Sequence, residues 1–433
     1  MERKIELKKN AYKRYPCETI IYQHNDFGKG FCLKKTRIYD KIGKLIKEFM
    51  GLSIGIVGLP NVGKSTLFNA LTQNKAEASN YPFCTIDPNV GIVEVPDERL
   101  TKMAGVIPTQ KIVPAIVEFV DIAGIVKGAA EGEGLGNKFL ANIRQCDAIA
   151  EVVRVFTDAN ITHVTGEINP TSDMETIKME LILADLETAG KRTAKLTKDI
   201  KGDPKLKETL ALVQKIQTEL EKGKTARELG LTEKEIGHIK DLNLLTLKPH
   251  IYIFNVDEEH LTKNFQFPIS LPRRQAGNFQ SNPNEKNSKM TDSGQARMTE
   301  KDYVIISAKI ESELNELSEE EKKEYLAELG QSETGLNRLI KKGYDLLGLK
   351  TYFTAGEKEI KAWTIHKGDK APQAAGIIHT DFEKGFIKAE TVDWKDLVEN
   401  KGWSGAKAAG KVRLEGKDYV VKDGDVMIFK FNV

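Results

Sequence analysis

SIGIVGLPNVGKSTLFNALTQN, residues 53–74, carries three signals in order. SIGIV is a short apolar run of strand type, and GLPNVGKS fits G-x-x-x-x-G-K-[ST]. KSTLFNALTQN then places apolar residues at helical spacing. Strand, glycine-rich turn and helix in that order are the setting in which the motif cradles phosphates. Gly58 and Gly63 let the backbone curl until successive N–H groups face inward as an anion nest. The helix that follows adds the positive end of its dipole. Lys64 is expected to reach the β- and γ-phosphates, Ser65 to ligate Mg2+ through its hydroxyl, and Thr66 to hold an α-phosphate oxygen. Asn61, Val62 and Gly63 complete the cradle. A chance glycine turn is the competing reading, and the ordered flanking elements argue against it.

Working outward, AIVEFVDI (115–122), AIAEVVRVF (148–156), HIYIFNV (250–256) and YVIISAKI (303–310) are further buried-strand runs. Helical stretches such as NKFLANIRQC (137–146) separate them. This alternation predicts an α/β domain with a mainly parallel sheet covered on both faces. METIKMELILADLETAGKRTAKLTKDI (174–200) and PKLKETLALVQKIQTELEKG (204–223) interrupt it. Both are long and amphipathic, which predicts an antiparallel helical hairpin over 176–245 inserted into a sheet domain formed by 50–175 and 246–350. Its lysine run KRTAKLTKDIKGDPKLK (191–207) is ordinarily a hydrated surface, and beside nucleic acid it is a candidate phosphate contact without sequence readout. Residues 265–300, rich in Asn, Ser, Gly, Pro and Gln, read as a mobile loop. Short strands with glycine turns after residue 350, including KGFIKAE (384–390), predict a small separate β-rich domain over 351–433. Residues 1–49 form a basic, poorly ordered extension without a core pattern.

Bulk composition narrows the class. The 433 residues carry 65 Lys+Arg against 63 Asp+Glu, a net charge of +2, so any polyanion contact must be local. Charged residues at 30% and hydrophobics at 40% suit a soluble globular chain. Cys17, Cys32, Cys84 and Cys146 are scattered, which argues against a zinc site or a disulfide framework and suits a reducing, cytoplasmic setting. No apolar stretch approaches the ~20 residues of a membrane span.

Downstream of the phosphate motif, FVDIAG puts Asp121 at a strand end with Gly124 three residues on. A D-x-x-G segment sets a carboxylate near Mg2+-bound water and a backbone amide near the γ-phosphate. Between the two motifs, Thr85 is the candidate switch threonine that completes Mg2+ coordination. Gln often follows D-x-x-G to orient the attacking water, and here Ile125 stands there, which predicts slow hydrolysis. Glu131, Glu133, His163 and His379 offer acid–base chemistry, but no motif aims them at the phosphates.

MGLSIGIVGLPNVGKSTLFNALT (50–72), NYPFCTIDPN (80–89), VDIAGIVKGAAEGEGLGNKFL (120–140), TYFTAGEKEIKAWTI (351–365) and APQAAGIIHTDFEKGF (371–386) resemble the YchF/Obg-like ATPase family of P-loop proteins. The likeness runs from about Met50 to Val433. It implies a Ras-like nucleotide domain with the inserted helical hairpin and a C-terminal TGS domain of β-grasp shape. It also implies preference for ATP and association with the ribosome, through its large subunit or its RNA, with no DNA sequence readout. Asn61 resembles the asparagine of monovalent-cation-activated relatives, which implies K+ as a second cofactor.

The base-reading loop separates ATP from GTP. In an N-K-x-D guanine reader the terminal Asp accepts two hydrogen bonds from the base. Here the positions are Asn255, Val256, Asp257 and Glu258. Glu is one methylene longer, enough to spoil a two-point contact in a tight pocket. Val256 can pack on either purine, so these residues disfavour guanine and permit adenine, and the resemblance turns permission into preference. A one-residue shift that brings Asp257 to the base would restore a guanine contact. Ser307, Ala308 and Lys309 form an S-A-K element expected to flank the base. A GTP-binding ribosome-assembly GTPase and a nucleotide-gated scaffold with negligible turnover are the competing functions.

Overall fold

The computed structural model describes residues 52–73, 89–122, 135–158, 168–261 and 302–432. The expectations for residues 1–49 and 265–300 lie outside the described residues.

The apolar runs become the centre of a six-stranded sheet. Its strands are β1 (Ser53–Val57), β2 (Val90–Glu94), β4 (Ile116–Asp121), β5 (Ala148–Arg154), β6 (His250–Asn255) and β7 (Tyr303–Ile306), in the order β2-β4-β1-β5-β6-β7. A two-residue strand, β3 (Ile112–Val113), belongs elsewhere. Every neighbouring pair is parallel except β2 with β4. All seven residues of β5 are buried, as a strand covered on both faces requires. Helix α1 (Lys64–Gln73) follows β1, α2 (Glu98–Ala104) follows β2, and α3 (Leu135–Gln145) lies between β4 and β5. Ile54, Ile56, Leu67, Phe119, Ile143 and Ile149 meet in one core cluster.

β1 and β5 are neighbours, and the chain leaves β1 toward β2 on one side of the sheet and β5 toward β6 on the other. Such a switch point opens a crevice at the carboxyl ends of the strands, where α/β proteins bind ligands. Ile56 is level with Asp121, Arg154 with Asn255, and Asn255 with Ile306. The turn after β1 and the ends of β4, β6 and β7 therefore open onto the same edge.

The insertion begins earlier than the charge pattern suggests. α4 spans Pro170–Asp199 because Asn169 caps it, its side chain accepting from the Ser172 N–H, with Pro170 in the first turn. Thirty residues make a rod of about 45 Å. Its first half packs Ile177, Leu181 and Ala184 into the sheet-domain core. Its second half pairs Ala189 and Leu196 with Leu212, Val213, Ile216 and Leu220, all four on α5 (Lys207–Glu221). Burying each Leu or Ile contributes about 1.5–3 kcal/mol, enough to hold a two-helix arm outside the main core.

The C-terminal part is not separate, and that expectation is corrected. α6 (Ala308–Leu314) and α7 (Gly335–Leu346) lead into β8 (Leu349–Ala355), β9 (Ile360–His366), helix α8 (Ala371–Ile378), β10 (Phe386–Asp393), helices α9 (Trp394–Glu399) and α10 (Trp403–Ala408), β11 (Arg413–Glu415) and β12 (Asp425–Phe431). The second sheet runs β11-β10-β12-β8-β9-β3, so it borrows β3 from the nucleotide domain, parallel to β9. Ala371, Ala374 and Ala375 of α8 lie against Tyr352, Ile365, Phe386 and Met427, a helix grasped by a sheet. On the other side Val392, Leu397, Ala406 and Val426 join the same cluster as Ile54 and Met103. Arg99 of α2 bonds Asp97 and Asp423 and stands 4.9 Å over the Phe353 ring. A pattern of strands and turns marks a fold unit, but it does not report that the unit shares a sheet with its neighbour.

Candidate functional site

The turn after β1 has the conformation its glycines predict. Gly63 has φ 96°, in the left-handed region open to glycine, and a Cβ there would stand 2.3 Å from Asn255 Nδ2. A Cβ on Gly58 would meet the Val152 carbonyl oxygen at 2.7 Å. Asn61 is left-handed too, at φ 63°, a conformation Asn tolerates better than most residues. Helix α1 starts as the Leu67 N–H donates to the Gly63 carbonyl, and Ser65 and Thr66 sit exposed in its first turn. N–H groups in that turn have no partner within the helix and are available to an anion. Lys64 is buried and its Nζ donates to the Leu59 carbonyl at 2.7 Å. Burial lowers its pKa to about 8 against the opposing pull of Asp121.

Asp121 ends β4 beside this turn. Burial raises its carboxyl pKa, and Lys64 opposes the rise. Its Oδ1 is buried with no hydrogen-bond partner among the described residues. A buried carboxylate oxygen without a donor is costly, and a metal-bound water would satisfy it. That orphaned oxygen and the exposed Ser65 hydroxyl fit a hydrated Mg2+ held mainly by phosphate and water. Among the described residues no three His, Cys, Asp or Glu side chains gather as a metal cluster. Thr85, Gly124, Ile125, Glu131, Glu133 and His163 lie outside the described residues. His379 is far along the chain in the C-terminal part, where its Nδ1 accepts from the Asp381 N–H as a helix cap.

At the far end of the crevice Asn255 is buried and bonded on both sides. Its Nδ2 donates to the Val62 carbonyl at 2.9 Å, and its Oδ1 accepts from the Ala308 N–H at 2.9 Å. One side chain thus staples the phosphate turn to the S-A-K element. Ser307 and Ala308 are buried, while Lys309 is exposed, its ammonium 4.0 Å from Glu313. Val256 departs from expectation. Its N–H donates to the Ile306 carbonyl, and its side chain is packed with Leu261, Ile310 and Leu314 rather than turned to the crevice. Asp257 is paired with His260, whose ring Nδ1 and backbone N–H both meet the carboxylate. Glu258 Oε1 accepts from the Tyr325 hydroxyl at 3.4 Å.

A relative from Bacillus subtilis, named ribosome-binding ATPase YchF, is 54% identical over 385 residues, covering 89% of this chain and all of the relative. One from Haemophilus influenzae with the same name is 51% identical, with the same coverage. The chain belongs to the YchF family. The YchF GTPase structure from Schizosaccharomyces pombe superposes with a TM-score of 0.71 at 37% identity, over 88% of this chain and 98% of that one. The family described as 50S ribosome-binding GTPase matches residues 53–185, and the YchF C-terminal family, described as of unknown function, matches 349–432. YchF relatives are thus named for ATP in bacteria and for GTP in the yeast structure, so the names leave the base open.

The structure brings Asn61, Val62, Gly63, Lys64, Ser65, Thr66, Asp121, Asn255, Ser307 and Ala308 to one edge of the sheet. Sequence reasoning missed that Asn255 binds the protein itself. A hint was available: two short motifs delivered to the same sheet edge need something to hold them together. It also missed the Asp257–His260 pairing, for which the i, i+3 spacing was the signal.

Proposed function

We propose that this chain is a slow, Mg2+-dependent ATPase switch that prefers ATP to GTP and engages the ribosome. Lys64 and the amides of 61–66 hold the phosphates, with Thr66 on the α-phosphate. Ser65 and Thr85 would hold Mg2+, with Asp121 reaching it through water. The Gly124 amide faces the γ-phosphate, and Ser307, Ala308 and the Lys309 stem flank the base. When bound there, Mg2+ would supply charge neutralisation at the phosphates. Val256 contributes backbone rather than side chain. K+ near Asn61 is an accessory cofactor in this reading, and turnover with and without K+ tests it.

One observation carries the base preference. The Asp257 carboxylate, the acid that a one-residue shift would need for guanine, is already bound to His260. Glu258 is one methylene too long and leans toward Tyr325. Adenine offers an N6 donor and an N1 acceptor, which a loop carbonyl and a backbone N–H can read without an acid. Slow turnover follows from Ile125, which can neither donate nor accept a hydrogen bond. Calorimetric titration with ATP and GTP in Mg2+ tests the reading: ATP should bind at least about tenfold more tightly, about 1.4 kcal/mol. Tight binding of GTP alone overturns it in favour of a GTPase.

Ribosome engagement rests on the names of close relatives and on charge. Lys195, Lys198, Lys201, Lys205 and Lys207 at the end of the α4–α5 arm are exposed, and none is in an ion pair among the described residues. Such a cluster suits ribosomal RNA phosphates, read without sequence.

A further inference from the structure

A buried acid and a histidine face each other beneath the root of the helical arm. Glu151 on β5 and His250 at the start of β6 stand on neighbouring strands, at 1% and 8% exposure. Glu151 Oε2 and His250 Nε2 are 3.0 Å apart. Glu151 Oε1 is buried with no hydrogen-bond partner among the described residues. Side chains alternate along a strand, so Glu151 points to the face where Val153 meets Met174 of α4, and Arg154 to the other. A carboxylate with one oxygen unsatisfied is costly to bury, and a proton removes most of that cost. Burial chiefly holds the Glu151 carboxyl pKa well above its ordinary value; Asp173 and Glu175 add to the rise, and Arg227 opposes it.

Those charges divide between the two sides of the arm root. Asp173, buried, and Glu175, 3.7 Å from Lys178, lie at the start of α4, the outgoing helix. Arg227 lies in a short 3-10 turn (Ala226–Leu229) on the returning segment, where its Nη1 donates to the Lys248 carbonyl at 3.1 Å. Asp185 accepts from the Leu245 and Thr246 N–H groups, and the Lys248 ammonium donates to the Arg144 and Cys146 carbonyls. Glu180, about two turns along α4 from Asp173, is buried as well, and the Tyr252 ring is 4.6 Å from that of His250. A negative charge appearing on Glu151 therefore repels the outgoing helix and attracts the returning segment. It works the two sides of the root in opposite senses.

We propose that Glu151 and His250 form a proton-operated latch under the arm, closed while the pair holds a proton and loosened when that proton leaves. The proton resides on Glu151 Oε2 or His250 Nε2, so the two titrate as a pair, and its loss to solvent leaves a bare carboxylate in the interior. The raised folded pKa of Glu151 fixes the sign. Its contribution is complete below the unfolded value of about 4.3 and is lost as pH rises through the folded value. The latch does not depend on what binds in the crevice, so its failure leaves the nucleotide reading untouched.

Amide hydrogen exchange on the full chain from pH 5 to 9.5, normalised at each pH to the rates of an unstructured peptide, tests it. In the wild type, protection at 173–185 and 225–248 should fall by at least about threefold across that range. Glu151→Gln, which keeps the shape and stays neutral, should hold its protection within about 1.5-fold. His250→Gln removes one of the two seats for the proton, so the loss should move to lower pH. A second readout needs no change at Glu151: the His250 ring resonance, identified by its absence from His250→Gln, should titrate with the midpoint at which protection falls. The proposal is overturned if wild-type root protection does not change with pH, or if Glu151→Gln loses it as the wild type does. A His250 resonance that stays flat through the midpoint overturns it too.

Discussion

Replacing Asn255 by Ala cuts the link between the phosphate turn and the S-A-K element. Two buried bonds of 2.9 Å disappear, and the Val62 carbonyl and Ala308 N–H lose their partner. Each buried group left unsatisfied costs about 1–3 kcal/mol, so the loss is about 2–6 kcal/mol, toward the lower end if water fills the space. If about 2 kcal/mol of that had held the turn in its binding shape, apparent ATP affinity falls about thirtyfold. Asn255→Asp refines the test. The Asp side chain can still accept from Ala308, but it turns an oxygen toward the Val62 carbonyl. Only its protonated form donates there, so burial raises its folded pKa above the ordinary carboxylate value. The neutral form is then favoured by folding. Stability is greatest below the unfolded pKa of about 4 and is lost as pH rises through the folded pKa. Titration calorimetry for ATP, with chemical denaturation at two pH values, reads both effects. Wild-type affinity and stability in Asn255→Ala would refute the staple, and a pH-independent Asn255→Asp would refute the contact with the Val62 carbonyl.

Lys64 makes nucleotide affinity depend on pH. Burial puts its pKa at about 8, and phosphates favour the ammonium form, so affinity should be flat below about pH 8 and weaken above it. Calorimetry from pH 7 to 9.5 checks this, and Lys64→Ala should abolish hydrolysis, measured as phosphate release. A chain ending at residue 348 should lose solubility or unfold more readily, because removing Val392, Leu397, Ala406 and Val426 opens the shared core; sedimentation and thermal melting read the result. Alanine at Lys195, Lys198 and Lys201 should flatten the salt dependence of ribosome binding by about 0.7–0.9 in log–log slope for every phosphate that a lysine no longer neutralises. An unchanged slope would place the ribosome-binding surface elsewhere.

Phosphate chemistry was legible because local sequence encodes it. Gly58 and Gly63 shape the turn, Lys64 and Ser65 follow at fixed offsets, and Asp121 closes a strand, so a few contiguous residues suffice. The strands were legible for a similar reason: a run such as AIAEVVR has one stable fate, burial on both faces. The helical arm was visible in its amphipathic period, though its start was not, since the charge pattern begins after the Asn169 cap. Val256 could not be placed because an apolar residue at a loop entrance reads alike whether it faces a base or Leu261, Ile310 and Leu314.

The sequence by itself determined that a phosphate-binding turn, a parallel sheet and a helical insertion are present, because turn chemistry and hydrophobic period act over a few residues. Only the tertiary structure decided what those parts do to one another. Asn255 meets Val62 across 193 positions, Arg144 meets Asn243 across 99, and β9 recruits β3 from another domain. Such pairings depend on which surfaces packing brings together. A side chain able to bond a carbonyl carries no local mark of whose carbonyl it will be.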